Sequence, residues 1–381
     1  DKITNLVNKT LIKTIEEQSY ADVRVGAFLS GGIDSSLLVS LYQKVSKIPI
    51  NTFTVAFPDE KNNNYGFDES PFAKNIANYL NTNHHEITLG SNDLKMIIPK
   101  LPEIYTEPFA DSSQIPTHLV CKEARDYGLK VALTGDGGDE IFGGYNRYIF
   151  APYIIKVFEK YPKFLKKIIS RSIKNLPLSS RTLAKNKLRK IADSVYYSDS
   201  VDSVYNSLVN TGFNLNRLLL EDNISYENFD LDEKLTFDLS NVEKFILKDI
   251  LYYLPSDLLV KTDRASMAVG LETRAPFLDA NVAEIGLSIK TNMKIRFENG
   301  KIINKWILRE ILSKYVPQKL FDRPKKGFSL PIGQWIRGSL KEWAGDMLSP
   351  ENLKKQGILD ENYVKDLFDE HCKQKADNTE K

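Results

Sequence analysis

A short segment rich in glycine and serine, set between a predicted strand and a predicted helix, constrains the fold of this chain most strongly. Residues Val23–Leu29 (VRVGAFL) are largely apolar and indicate a buried strand. The segment Ser30–Ser36 (SGGIDSS) follows directly, and Asp34–Val45 then has apolar residues at the spacing of one helix face. A strand, a tight loop and a helix in this order begin a βαβ unit, in which successive strands lie parallel.

The same alternation continues through the first 150 residues. Further strands are predicted at Ile50–Phe57, Glu86–Leu89 and Lys130–Thr134, and further helices at Asp68–Leu80, Ser91–Leu101 and Ile115–Tyr127. The sequence therefore predicts an α/β fold, a doubly wound parallel sheet with helices on both faces. The strand pattern then ends, so residues 1–150 are predicted as the core, followed by helical regions at 151–240, 241–345 and 346–381.

The first of these helical regions is strongly basic. Residues 151–190 contain many lysines and arginines and a single acidic residue, Glu159. A solvated helix face and a docking surface for an acidic partner or substrate both account for this pattern.

Composition excludes several classes of protein. Of the 381 residues 42% are hydrophobic and 27% are charged, which is typical of a globular chain. The net charge is only 52 − 50 = +2, so we expect neither a nucleic-acid nor a membrane partner. No stretch of about 18 apolar residues is present, and we expect a soluble, cytoplasmic protein. The first residue is Asp, so we expect the sequence to begin inside a longer polypeptide or after processing.

The chemistry of the first loop points to an anion. Gly31 and Gly32 allow the tight turn, and the N–H groups at the start of the following helix can bind a negative group. Three short hydroxyl donors join them: Ser30, Ser35 and Ser36. Asp34 is unexpected at an anion site unless it acts through a cation, and Mg²⁺ bridging carboxylate and phosphate oxygens fits. The loop therefore predicts a pyrophosphate cradle.

The loop differs from the common phosphate-binding loops. No G-x-x-x-x-G-K-[ST] is present, and no G-x-G-x-x-G follows the first strand. An ordinary turn with N-capping serines is the alternative, but two glycines, three serines and an aspartate exceed what capping requires.

A second glycine-rich loop follows the predicted strand Lys130–Thr134. Thr134–Tyr145 reads TGDGGDEIFGGY, and an ordinary flexible loop is the alternative interpretation. Loops at the carboxyl ends of parallel strands meet at one edge of the sheet, where ligands bind. Asp139 could then complete a metal site with Asp34, and Asp136 could lie beside the reacting centre.

The order of four motifs resembles a known family. SGGIDSS, TGDGGDEIFGGY, DRASMAVGLETRAPFLD (Asp263–Asp279) and RPKKGF (Arg323–Phe328) are similar to the synthetase domain of glutamine-dependent asparagine synthetases of the B type. The resemblance covers about residues 20–340. The four ordered motifs are highly specific for the asparagine synthetase superfamily and less specific for asparagine as the product. The resemblance implies a PP-loop ATP pyrophosphatase fold, in which 241–345 completes the synthetase site.

The resemblance implies a reaction and its ligands. The domain would bind ATP and Mg²⁺, adenylate the side-chain carboxylate of aspartate with release of pyrophosphate, and let ammonia attack to give asparagine and AMP. Ser30–Ser36 would hold the pyrophosphate, and Asp34 and Asp139 would bind the metal. The nucleotide would contact four further residues: Leu29 and Val55 at the adenine, and Thr134 and Gly135 by backbone.

Two residues carry catalytic expectations from the resemblance. Asp136 corresponds to an acid that supports formation of the intermediate, a glutamate in many relatives and one methylene shorter here. Lys325 matches a lysine that meets the phosphates and the charge that develops during adenylation. Spacing alone leaves open whether Lys325 or Lys326 points inward.

Substrate recognition is where the chain departs most from the family pattern. The candidate residues are Asp111, Ser112, Arg264, Glu272 and Arg274. An arginine can hold a carboxylate by two hydrogen bonds, whereas Glu272 and Arg274 could equally form a buried structural ion pair. Asp111 and Ser112 could bind an amine or cap the helix that follows.

The ammonia source is a further expectation. Full-length enzymes of this type begin with a glutaminase domain that has an N-terminal cysteine nucleophile, and neither Cys121 nor Cys372 fits that role. We expect ammonia from a glutaminase that is a separate partner or an excised portion of the protein. The resemblance also allows a homodimer.

Other functions remain open. The same chemistry could act on another small carboxylate, as in a sugar uronate amidotransferase of polysaccharide biosynthesis, or close an amide within one molecule, as in a cyclase. An ATP-binding scaffold without turnover belongs to a different class, and the acids and lysine above argue against it. A tRNA-thiolating enzyme is disfavoured because no CxxC is present.

Overall fold

The structure is a computed structural model and divides into two compact units. One unit comprises Asp1–Tyr145 and Asp249–Leu330, and the other comprises Asn146–Lys248 and Pro331–Lys381. The residues that the structure describes are 2–57, 68–176, 182–209, 215–220, 238–298, 300–323 and 330–374.

A five-stranded parallel sheet forms the centre of the first unit, with strand order β3-β2-β1-β4-β5. The strands are β1 (Val25–Phe28), β2 (Asn51–Ala56), β3 (Asn83–Thr88), β4 (Val131–Leu133) and β5 (Glu272–Arg274). Gly26 of β1 lies opposite Asn51 of β2 and Ala132 of β4. The predicted α/β fold with a parallel sheet is confirmed. Strand β5 is an addition, because its three residues, Glu-Thr-Arg, include no apolar residue that would indicate a buried strand.

The α-helices are numbered along the whole chain. They are α1 (Lys2–Ser19), α2 (Ile33–Val45), α3 (Ser70–Leu80), α4 (Ser91–Ile97), α5 (Leu101–Tyr105), α6 (Gln114–Asp126), α7 (Gly138–Phe142), α8 (Arg147–Phe158), α9 (Lys163–Lys174), α10 (Thr182–Tyr196), α11 (Val201–Val209), α12 (Leu215–Leu218), α13 (Asn241–Lys248), α14 (Leu259–Met267), α15 (Ala280–Ser288), α16 (Thr291–Lys294), α17 (Trp306–Leu312), α18 (Ile332–Arg337), α19 (Lys341–Met347), α20 (Pro350–Gln356) and α21 (Glu361–Cys372).

Shorter elements complete the first unit. A π-helix spans Asp249–Leu258, and 3₁₀ turns span Ile98–Lys100, Pro276–Leu278 and Gln318–Leu320. An antiparallel pair joins β6 (Arg296–Glu298) to β7 (Lys301–Ile303). The helix predicted at Ser91–Leu101 is divided into α4, a 3₁₀ turn and α5, with prolines in the first turns of the latter two.

Local sequence explains where the helices around the sheet begin. Gly32 precedes α2 in an extended conformation, so the helix begins at Ile33 directly after the glycine loop. Helix α3 begins at Ser70, two residues later than predicted, and Asp68 Oδ1, just before the helix, accepts a hydrogen bond from the Ser70 N–H at 3.0 Å. Helix α1 is absent from the predicted elements, although Val7, Leu11 and Ile15 are buried at helical spacing.

The core of the first unit fixes the strand ends. Leu37, Leu38 and Leu41 of α2 are fully buried and cluster with Leu11 of α1 and Ile307 of α17. Each buried aliphatic side chain contributes about 1.5–3 kcal/mol. Packing of α2 on this scale holds the glycine loop at the end of β1.

The second unit is helical in the part that the structure describes. Lys166 is fully buried and its Nζ lies 2.6 Å from Asp199 Oδ1, while Lys248, also fully buried, lies 2.6 Å from Asp202 Oδ1. These lysines therefore serve internal packing, although other basic residues of α9 stay exposed. Across the described residues, none of the helices combines the length and apolar character needed to cross a bilayer.

Candidate functional site

A cavity of about 460 Å³ opens in the first unit at the carboxyl ends of β1, β2 and β4. Its size is in the range of small-molecule sites. Its wall includes most of the residues predicted for nucleotide and metal binding, together with the predicted catalytic residue Asp136: Leu29, Ser30, Gly31, Gly32, Asp34, Ser35, Val55, Thr134, Gly135 and Asp139. The two predicted loops therefore line a single cavity, at the edge of the sheet where parallel folds bind ligands.

The first loop is held by hydrogen bonds among its own residues. The Ser30 N–H donates to Ser35 Oγ at 3.2 Å, and the two serine hydroxyls are 3.0 Å apart. Gly31 has a left-handed backbone, φ 74°, and a Cβ there would lie 2.9 Å from Ala73 N, so this position requires glycine. Helix α2 begins beside this turn, with Ile33, Asp34 and Ser35 at the cavity wall, and the free N–H groups and positive dipole end of a helix N-terminus favour an anion.

The second loop packs directly against the first. A Cβ at Gly135 would lie 3.2 Å from Ser35 N, and a Cβ at Gly138 would lie 2.6 Å from Asp34 Cγ. The absence of side chains at these glycines is what lets the loops approach so closely. Asp139, in the first turn of α7, thereby comes close to Asp34.

Lys305 joins the two carboxylates, and the sequence interpretation missed it. Its Nζ lies 2.7 Å from Asp139 Oδ1 and donates a hydrogen bond to Asp34 Oδ2. Only 4% of its side chain is exposed. Burial alone would lower the pKa of the Lys305 ammonium, but the charges of Asp139 and Asp34 raise it above its usual value. The lysine is therefore a charged member of the site.

The backbone around Lys305 is unusual. Lys305 adopts a left-handed conformation, φ 52° and ψ 36°, at the start of α17. Asn304 Nδ2 donates to the Gly144 carbonyl at 2.8 Å, which ties this turn to the second loop. A Cβ at Gly144 would lie 1.8 Å from Asp139 Oδ1 and 2.1 Å from Lys305 Cε. Gly144 is thus required for the close packing of Asp139 and Lys305.

The two carboxylates fit a magnesium site in their chemistry. Both reach one cation, the ammonium of Lys305, so their oxygens already converge on a single point. Mg²⁺ prefers oxygen ligands and is commonly held by one or two carboxylates together with phosphate oxygens and water. Within the described residues no cluster of three or more metal-binding side chains exists, so the remaining ligands would come from the nucleotide and water.

Glu140 is a second residue, after Lys305, that the sequence interpretation missed. It is 1% exposed, lines the cavity, and accepts a hydrogen bond from Tyr145 Oη at 2.5 Å. Burial, assisted by the nearby charge of Asp139, raises the pKa of Glu140 to about 7. It follows Asp139 directly in the second loop, which is the signal that could have identified it.

Asp136 lies at the cavity wall and is oriented by two hydroxyls. Its Oδ2 accepts hydrogen bonds from Thr134 Oγ1 at 2.9 Å and from Thr262 Oγ1 at 3.1 Å. These bonds leave the carboxylate as an acceptor fixed at the end of β4. The catalytic role of Asp136 stays a prediction. Its position at the cavity wall suits that role.

A second lysine pairs with Asp111 at the cavity wall. Lys261 Nζ lies 2.7 Å from Asp111 Oδ2 and 2.8 Å from Ser113 Oγ. Burial would raise the pKa of Asp111, but Lys261 and the Ser113 hydrogen bonds lower it below its usual value. Asp111 Oδ1 also accepts from the Ser113 N–H at 2.8 Å. Ser113, rather than the predicted Ser112, lines the cavity. The Ser113 hydroxyl donates a hydrogen bond to Asp111 Oδ1 at 2.7 Å.

The last motif reaches the cavity through its first residue. Arg323 lines the wall and pairs with Glu69 Oε1 at 2.6 Å. Lys325 and Lys326 lie outside the described residues, so the expectation for Lys325 stays a prediction from the sequence.

Several predicted residues are not brought to the cavity. Ser36 is fully buried in α2 and is not part of the wall. Arg264 is exposed on α14 and is likewise absent from the wall. Arg274 Nε donates to Glu272 Oε1 at 2.6 Å and its Nη1 donates to the Gln18 carbonyl at 2.7 Å. Glu272 and Arg274 therefore form an ion pair, but the pair is not buried as in the structural alternative, because 56% of the Glu272 side chain is exposed.

The two cysteines differ in exposure, since Cys121 is buried and Cys372 is partly exposed. Cys121 is fully buried in α6, and burial raises the pKa of its thiol. Cys372 is the last residue of α21 and is a free thiol.

A comparison with protein families gives one match. The model of the family described as asparagine synthase matches residues 6–381 of this chain. That range includes both glycine loops, Lys305 and the last motif.

Individual relatives are similar at moderate identity. Asparagine synthetase [glutamine-hydrolyzing] 1 of Bacillus subtilis is 30% identical over 391 residues, covering 100% of this chain and 58% of the relative. A putative asparagine synthetase [glutamine-hydrolyzing] of Mycobacterium bovis is 32% identical over 351 residues, covering 90% of this chain and 50% of the relative. Amidase chyE of Penicillium rubens is 24% identical over 410 residues, covering 97% of this chain and 58% of the relative. The chain thus spans between 50% and 58% of the length of these relatives.

Proposed function

The chain belongs to the asparagine synthase family, and from that premise we propose that it is the synthetase part of an ATP-dependent amide-forming ligase. The observation that carries the proposal is the meeting of two glycine loops in one cavity. There the N-terminus of α2 and the serines of the first loop lie next to a pair of carboxylates on a common cation. This combination suits a nucleotide triphosphate with its divalent ion.

The proposed reaction has two steps. A carboxylate oxygen of the acceptor attacks the α-phosphorus of ATP, the bond from that phosphorus to the β-phosphate oxygen breaks, and pyrophosphate leaves. Ammonia then attacks the acyl carbon of the adenylate, the bond to the AMP oxygen breaks, and the nitrogen loses a proton. The products are the amide, AMP and pyrophosphate.

The first loop would bind the leaving phosphates. Ser30 and Ser35 supply hydroxyls at the cavity wall, and the first N–H groups of α2 supply donors for negative oxygens. Leu29 and Val55, at the ends of β1 and β2, would contact the adenine. When bound, Mg²⁺ held by Asp34 and Asp139 would neutralise negative charge on the phosphates.

Asp136 and Lys325 carry the proposed catalytic roles. Asp136 is a fixed hydrogen-bond acceptor at the wall, suited to orient the acceptor or to take a proton when ammonia attacks. Lys325 is proposed from its motif to stabilise charge on the non-bridging phosphate oxygens during adenylation.

The acceptor is proposed to be aspartate. The Bacillus subtilis and Mycobacterium bovis relatives are asparagine synthetases by name, and Lys261, Asp111 and Ser113 give the cavity wall groups that can hold an amino acid. Another small carboxylate, a sugar uronate included, or closure of an amide within one molecule is the second candidate. A relative named an amidase, similar over 97% of the chain, shows that the proteins similar to this chain are not all named asparagine synthetases.

Ammonia is proposed to come from glutamine. Both named synthetases are glutamine-hydrolysing, and this chain spans only 58% and 50% of their lengths. A glutaminase partner or a further portion of the protein would therefore supply the ammonia.

A pyrophosphate-release assay with ATP, Mg²⁺ and ammonium tests the proposal. Aspartate, uronates and carboxylates that carry an internal amine are compared as acceptors, and AMP and the amide are identified by mass. Release with aspartate together with asparagine supports the first acceptor. Turnover only with a uronate or an internal amine would replace aspartate by the second candidate, and nucleotide binding without turnover of any acceptor would leave a scaffold.

A further inference from the structure

Lys305 occupies the position in which a divalent cation would have to lie. Its ammonium is 2.7 Å from Asp139 Oδ1 and bonded to Asp34 Oδ2, with 4% of the side chain exposed. A metal that bridges these carboxylates needs the same oxygens at about 2.0–2.1 Å. The ammonium and the metal therefore compete for one place.

We propose that Lys305 is a built-in counter-ion that closes the metal position in the nucleotide-free protein and yields it only when a triphosphate enters with the metal. This inference rests on the proposed function, because it assumes that Asp34 and Asp139 bind the metal of a nucleotide. It makes Lys305 a positioning residue, since it acts by holding the two carboxylates.

Charge explains why the exchange needs the triphosphate. Two carboxylates and one ammonium leave a net charge of −1, whereas adding a divalent ion with the lysine still in place gives +1 in a nearly closed site. Like charges at such short range repel strongly where water is excluded. The phosphate chain brings several negative charges, so it can accept the displaced ammonium and the metal together.

The surrounding structure holds Lys305 in place at a cost. The left-handed backbone of Lys305 is rare for a residue with a side chain and is kept by contacts on both sides. Asn304 binds the Gly144 carbonyl, Arg309 Nε donates to the Asn304 carbonyl at 3.0 Å, and bare Gly144 makes room for Lys305 Cε. Strain retained at a ligand site is consistent with a residue placed for function rather than for packing alone.

The test measures metal binding without activity. Mn²⁺ is titrated into the full chain without nucleotide and followed by electron paramagnetic resonance, for the wild type, Lys305→Met and the exposed control Lys301→Met. We expect weak binding by the wild type and the control, and binding tighter by roughly 5–150-fold in Lys305→Met, the usual span of coupling between two ligands. Equal Mn²⁺ affinity in the wild type and Lys305→Met would overturn the inference.

A second measurement covers the case in which Lys305→Met does not fold. The same titration on the wild type is repeated with a non-hydrolysable ATP analogue present, and Mn²⁺ affinity should rise by a similar factor. Tight Mn²⁺ binding by the wild type without nucleotide would overturn the inference whatever the variant does. Failure of the wild type to bind the analogue with Mg²⁺ would instead overturn the proposed function.

Discussion

The two lysines at the cavity wall are paired in different ways. Lys305 faces two carboxylates, Asp34 and Asp139, and is almost completely buried. Lys261 faces one carboxylate, Asp111, and a serine hydroxyl, and both its side chain and that of Asp111 are partly exposed, at 12% and 22%. The cluster around Lys305 therefore has an excess negative charge, and the cluster around Lys261 is balanced.

This difference indicates that the two clusters are suited to different ligands. A site with excess negative charge and close glycine packing attracts a cation and orders it tightly. A balanced pair with exposed edges can exchange partners with a small polar ligand at little electrostatic cost. We therefore propose that the Lys305 cluster binds metal and phosphate and that the Lys261 cluster binds the acceptor.

Neutralising one carboxylate of the Lys305 cluster should have the largest effect. Asp34→Asn removes the charge that the proposed metal needs, and we expect the rate of pyrophosphate release to fall by roughly 10²–10³-fold, the scale of losing a preorganised electrostatic group. Asp126→Asn, at an exposed acid of α6, is the matched control and should keep the wild-type rate. A wild-type rate in Asp34→Asn would remove this cluster from the chemistry.

Filling the space beside the Lys305 cluster should come next. The Cβ of Gly144→Ala would meet Asp139 Oδ1 at 1.8 Å and Lys305 Cε at 2.1 Å, so either side chain must move. We expect a loss of about 1–3 kcal/mol in the free energy of unfolding, with a lower rate of pyrophosphate release. Gly345→Ala, inside α19, where the nearest contact of a Cβ is 3.7 Å, should keep the wild-type rate and should not lower the free energy of unfolding, since alanine favours a helix. Unchanged denaturant curves for Gly144→Ala would argue against tight packing here.

Removing Lys261, the lysine of the other cluster, should raise the KM for the acceptor and leave the KM for ATP unchanged. Lys261→Met leaves Asp111 and Ser113 without their shared donor, and we expect the acceptor KM to rise roughly tenfold, on the scale of a hydrogen bond between charged groups. The KM for ATP should stay near the wild-type value, and Lys122→Met, on the exposed part of α6, serves as control. A rise in the ATP KM instead would show that the two clusters are not divided as proposed.

Two neighbouring serines of the first loop test whether this loop binds the phosphates of ATP. Ser35 lines the cavity and binds Ser30, whereas Ser36 is fully buried and absent from the wall. Ser35→Ala should weaken ATP binding about fivefold, the scale of one hydrogen bond of about 1 kcal/mol, and Ser36→Ala should leave it unchanged. Calorimetric titration with an ATP analogue checks both. The reverse order of effects would contradict the described loop geometry.

The smallest expected effect is a pH dependence of stability at the Lys261 cluster. Because Lys261 and Ser113 lower the pKa of Asp111, the unfolded chain binds its proton more readily than the folded one. The stabilisation is present above the usual carboxyl pKa, near 4, and is lost as the pH falls through the lower folded value. Lys261→Met should therefore be less stable than the wild type near pH 7 and approach it in acid. A difference that grows in acid would contradict this sign.

Local patterns predicted much of the fold and part of the site. The strand, glycine loop and helix at Val25–Val45 and the second loop at Thr134–Tyr145 are contiguous, so their placement at one edge of the sheet could be argued from the sequence. Lys305 and Lys261 could not be found this way, since 271 and 150 residues separate them from Asp34 and Asp111. The choice between Ser112 and Ser113 depends on the direction of one side chain, which spacing does not determine.

The central claim is that the cavity activates a carboxylate by adenylation. The most direct measurement supplies the acceptor with ¹⁸O in its carboxylate, together with ATP, Mg²⁺ and ammonium, and determines the products by mass spectrometry. The account predicts that one ¹⁸O from each acceptor molecule appears in AMP. Recovery of the label in inorganic phosphate, with ADP as the nucleotide product, would contradict it.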